Sequence, residues 1–131
     1  MSKVNWLEIL NWKEEQIDDL RSLAISYIKQ GIYDVALTFY NGLAVLTTPT
    51  VYDLQTIGAL YLEFGNGVRA LDYLDQALKL DPNHLPTKLN RTRALFLLGY
   101  KKQGLVQAVE LEKSGDPSIA TAASALVLAY H

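Results

Sequence analysis

The sequence contains no cysteine, which excludes a disulfide framework and any thiolate-held metal. It holds two histidines, and His131 is the terminal residue. Neither His84 nor His131 has a metal-ligand pattern beside it, and no metal site or cofactor is expected. Basic residues are scattered, with Lys101–Lys102 the only adjacent pair, so the basic stripe of a nucleic-acid groove is missing. No apolar run approaches the roughly 20 residues needed to span a bilayer. The opening stretch MSKVNWLEIL carries Glu8 and lacks a small-residue cleavage site, unlike a secretory signal. No polar cluster converges as an active site would require, so an enzyme is not expected. Glu14–Glu15 and Asp18–Asp19 lie near a helix start, where negative charge is stabilising without any catalytic role.

What remains is apolar and periodic. Half of the 131 residues are hydrophobic and 20% are charged, which argues for a packed domain rather than disorder. Residues 51–84 carry the clearest pattern. Leu54, Ile57, Gly58 and Tyr61 share one helical face; Ala70, Leu74 and Ala77 share another after the Gly65-Asn66-Gly67 turn. Small residues stand where two helices must approach closely, large ones where the gap must be filled.

The pattern recurs in register. In 17–50 the equivalents are Leu20, Leu23, Ala24 and Tyr27, then Ala36, Tyr40 and Leu43, with Gly31 as the turn. In 85–118 Leu95 and Gly99 keep their places, while Thr92, Gly104 and Leu111 replace small residues. This period of 34 residues resembles the tetratricopeptide repeat. The resemblance implies an all-α, right-handed superhelical array of three helix pairs in one domain spanning 1–131.

Helices are expected over about 15–30, 33–46, 51–64, 67–80, 85–98, 101–113 and 118–130, the last being a capping helix led by Asp116 and Pro117. An N-terminal helix over 3–14 carries Trp6, Leu7, Leu10 and Trp12. These residues either cap the first repeat or form a subunit interface. Asn11 leaves open whether the segment is separate or continuous with the next helix.

In the resembled family, partners contact five first-helix positions of each repeat. Here they are Asp18, Arg21, Ile25, Ile28 and Lys29; Tyr52, Gln55, Ala59, Leu62 and Glu63; Pro86, Leu89, Arg93, Phe96 and Leu97. The asparagines that clamp an acidic peptide terminus in some members are replaced by Ile25 and Ala59. The expected groove is largely apolar, suited to an amphipathic helix or an extended hydrophobic segment, unless the chain's own residues cover part of it. Charged residues at Tyr52, Leu62 and Phe96 are expected to abolish binding without unfolding the chain.

The run from Tyr40 to Val109, with its LDP at Leu80–Pro82 and a third repeat running from Pro86 to Gly99, is similar to the three-repeat chaperones of bacterial type III secretion. That likeness implies a cytoplasmic, non-catalytic chaperone that holds a needle or translocator subunit before export. A small helical co-chaperone or a second copy is a further implied partner. A general scaffold without a secretion role is the alternative.

Overall fold

The computed structural model describes residues 4–131, and every regular element among them is an α-helix. The expected N-terminal helix began at residue 3, which lies outside the described residues. The elements are α1 (Trp6–Leu10), α2 (Glu14–Lys29), α3 (Tyr33–Leu46), α4 (Val51–Glu63), α5 (Gly67–Leu80), α6 (Leu85–Leu97), α7 (Lys101–Glu112) and α8 (Pro117–Tyr130). From α2 onward, each helix begins and ends within one residue of its expected position. The chain divides into two compact units, Met1–Thr50 and Val51–His131, at the boundary between the first and second repeats.

Three turns set the period. Gly31, Gly65 and Gly99 adopt φ of +76°, +73° and +86°, angles that a Cβ would strain. At each turn the following residue's N–H reaches back to close the preceding helix. Ile32 donates to the Tyr27 carbonyl, Asn66 to that of Tyr61 and Tyr100 to that of Leu95, all at 2.9 Å. Asn66 itself is not left-handed. It starts α5, its Oδ1 accepting from the Arg69 N–H at 3.1 Å.

In the first unit α2 packs on α3. Ile17, Ala24, Ala36, Tyr40 and Leu43 are buried, and the Tyr27 and Phe39 rings stack at 5.6 Å. Asn11 takes φ +54° and ends α1, so the N-terminal segment is a separate helix. That helix packs on α3 and buries none of its residues. Leu23, expected on a packed face, is 43% exposed.

In the second unit α6 is the hub, packing on α4, α5, α7 and α8. Leu54, Ile57, Ala70, Leu74 and Ala77 are buried as their spacing requires. A Cβ on Gly58 would lie 2.7 Å from the Leu74 side chain, which is why the smallest residue stands there. Thr92 holds the equivalent place in α6 and is fully buried, its hydroxyl donating to the Lys88 carbonyl at 2.9 Å. Arg91 ties α6 to α5 through Asp75 at 2.7 Å. The Asp116 carboxylate caps α8 by accepting from the Ser118 and Ile119 N–H groups at 2.9 and 3.3 Å.

Candidate partner-binding face

A helix turns about 100° per residue, so Tyr52, Gln55, Ala59, Leu62 and Glu63 share one side of α4. Pro86, Leu89, Arg93, Phe96 and Leu97 share one side of α6, which packs beside α4. Tyr52 is 71% exposed and Leu97 49%, both far outside the range of a core residue. The Tyr52 and His84 rings meet edge to face with centroids 5.3 Å apart, and His84 Nδ1 hydrogen-bonds the Thr87 hydroxyl at 2.7 Å. Tyr52 is thereby held toward the start of α6 although most of its ring faces solvent. Arg93 is exposed and donates from Nη1 to Asn90 Oδ1 at 2.9 Å. Glu63 is exposed, and Gln55 is half-buried.

Pro86 is exposed, but Leu89, Phe96 and, in part, Leu62 are covered by the chain itself. Leu89 is buried in a cluster with Leu111, Ile119 and Ala123, to which α8 contributes the last two. Phe96 is also buried, its ring stacked on that of Tyr130 with centroids 4.0 Å apart. Leu62 is half-buried against the cluster of Ala70, Leu74 and Ala94. A charge at Phe96 would therefore break the fold instead of testing the face. The large exposed apolar side chains of the set on α4 and α6 reduce to Tyr52 and Leu97, with Pro86 also exposed and Arg93 and Glu63 at their margins.

In the first unit Ile25 is 43% exposed, Ile28 is half-buried and Lys29 is exposed, all on α2. On and beside α1, Trp6 and Leu10 are 39% and 45% exposed, while Leu7 and Trp12 are half-buried.

Sequence reasoning missed Tyr130. It lies 34 residues after Phe96, so it holds the same repeat position on α8 that Phe96 holds on α6. Extending the repeat register past 118 finds it. Among the described residues no group of three or more His, Asp or Glu is arranged to hold a metal, and no helix is long and apolar enough to cross a membrane.

No protein-family model and no curated protein matches the sequence. Solved structures do. The type III secretion translocator chaperone SycD of Yersinia enterocolitica superposes with a TM-score of 0.80 at 16% identity, covering 98% of this chain and 99% of that one. PcrH of Pseudomonas aeruginosa, in complex with the chaperone binding region of PopD, gives 0.77 at 20% identity over 90% and 92% of the two chains. The second tetratricopeptide domain of human RPAP3, in complex with an HSP70 peptide, gives 0.72 at 18% over 86% and 96%. At such identities the likeness fixes the fold: the chain has the all-helical, tetratricopeptide-type architecture found in the translocator chaperones of type III secretion.

Proposed function

We propose that this protein is a non-catalytic chaperone that holds an apolar or amphipathic segment of a secretion-system subunit before export. The observation that carries this reading is the fold, shared over nearly the whole chain with SycD and with a PcrH that is itself solved with a translocator segment. The structural neighbours favour a translocator over a needle subunit as the client. We place the client, in the second unit, on the exposed side of α4 and α6. Tyr52 and Leu97 supply apolar contact there; Arg93 and Glu63 orient the segment by charge. On the first unit, the same repeat register assigns Ile25, Ile28 and Lys29 of α2 to client contact.

The N-terminal helix has a separate role in this reading. Trp6, Leu7, Leu10 and Trp12 form a subunit interface, since α1 buries none of its apolar residues against its own chain. A second copy, or a small helical co-chaperone, would cover them.

Native mass spectrometry of the protein, purified gently from the cells that make it, tests the proposal. A complex with one secreted subunit supports it. A bare chain, or a complex with many unrelated proteins and no secreted subunit, supports the scaffold reading, in keeping with the peptide-bound RPAP3 domain that shares the fold.

A further inference from the structure

The first two repeats close the outer seam between their helices with aromatic rings, and the third does not. Tyr27 stacks on Phe39 in the first repeat and Tyr61 on Tyr73 in the second, both pairs at 5.6 Å. In the second repeat the Arg69 guanidinium also lies over the Tyr61 ring, at 5.7 Å. One repeat further on, the positions of Tyr61, Arg69 and Tyr73 are held by Leu95, Gln103 and Gln107. All three line a cleft of about 380 Å³ between α6 and α7. A second cleft of about 440 Å³ adjoins it and shares Val106 and Gln107. It opens where Lys88 stands in place of Leu54 of the preceding repeat.

The cleft is distinct from the proposed client face. Arg91 and Leu95 line it, while Arg93 and Leu97 belong to the other face, and two residues along a helix is a turn of about 200°. Its floor is apolar: Leu95 is 3% exposed beneath it, and Val106 is 68% exposed at its edge. Its margin is basic. Lys88, Arg91, Lys102 and Lys113 line the two clefts and Glu110 is the only acid among the lining residues, on a chain whose net charge is −2. Arg91 is engaged by Asp75, which leaves three lysines against Glu110 and a net positive local charge.

We infer that this seam binds an acidic amphipathic helix of a partner protein, and that an aromatic side chain of that helix fills the space left by the missing ring pair. The apolar floor takes the helix's hydrophobic stripe, and the lysines take its carboxylates. The third repeat thus leaves to a partner the packing that the first two complete internally.

The test uses the full chain and a synthetic amphipathic peptide with a leucine stripe, flanking glutamates and one central tryptophan. Titration is followed by calorimetry and by backbone amide shifts. We expect micromolar binding with shifts at Gln103, Val106 and Gln107. Affinity should fall at least 10-fold when the tryptophan is alanine, and several-fold between 50 and 300 mM salt, where charge attraction is screened. Exchanging the glutamates for lysines should abolish binding. The double variant Lys102→Glu/Lys113→Glu, both exposed in the native chain, should weaken binding at least 10-fold. The variant Leu95→Tyr/Gln107→Tyr, which rebuilds the ring pair of the second repeat, should also block the peptide. Equal binding of the lysine peptide, no binding at millimolar peptide, or full binding by the charge-reversed chain would overturn the proposal. So would a native homodimer that dissociates in Val106→Glu, since a second copy would then own the seam. None of these variants touches Tyr52 or Leu97, so loss here and loss of client binding are separately visible.

Discussion

Phe96 and Tyr130, one repeat length apart in the sequence, lie face to face with ring centroids 4.0 Å apart and planes inclined by 4°. The pair fastens the terminal helix to the hub helix of the second unit. It also removes Phe96 from the surface that its repeat position would otherwise place at a partner's disposal. Replacing Tyr130 by alanine should cost about 1 to 2 kcal/mol, from the lost ring contact and the apolar area it covers. Urea denaturation reads that cost. A stability unchanged within error would show that the stack carries no weight.

Gly104 stands where the earlier repeats have alanine, and Phe96 explains it. A Cβ there would lie 2.6 Å from Phe96 Cε1, against a rigid ring edge. Alanine gains up to about 1 kcal/mol in helix propensity, while forcing a packed ring aside costs about 1 to 3 kcal/mol. Gly104→Ala should therefore lower the melting temperature and disturb the Tyr130 contact. A raised melting temperature would show that the ring yields freely.

Asp116 caps α8 with two backbone hydrogen bonds. Asp116→Ala should cost about 1 kcal/mol. Amide exchange should speed up first in α8, then at Leu89 and Leu111, which α8 covers. Exchange that rises equally in every helix would contradict a local role for the cap.

Trp6→Ser/Leu10→Ser removes apolar surface from a helix that buries none of its residues. Far-ultraviolet circular dichroism should be unchanged. Sedimentation should change, from an assembly in the native protein to a monomer in the variant. A native protein that sediments as a monomer with no partner would remove the interface.

The helices were legible in the sequence because their signals are local. Three glycines at one spacing fix the turns, and Asp116 with Pro117 fixes the last helix start. The repeat register also sorted the residues of each first helix into two sides. It could not tell which of those residues a neighbouring helix covers. Tyr52 and Leu89 are equally apolar by type, yet one is exposed and the other lies beneath Ile119 and Ala123. That difference comes from the tertiary packing of α8, which no local signal in α4 or α6 encodes. The same holds for Gly104, which reads as a weakening of the pattern until the Phe96 ring is seen against it.

The central claim is that the exposed side of α4 and α6 holds a client. Tyr52→Glu/Leu97→Glu tests it most directly, because both side chains are largely in solvent and the charges need not disturb the core. The native and variant chains would be expressed in the cells that make the protein, purified gently and compared by native mass spectrometry, with circular dichroism to confirm equal helicity. The account predicts a native chain carrying a secreted subunit and a folded variant that is bare. A folded variant that still carries the subunit would contradict it.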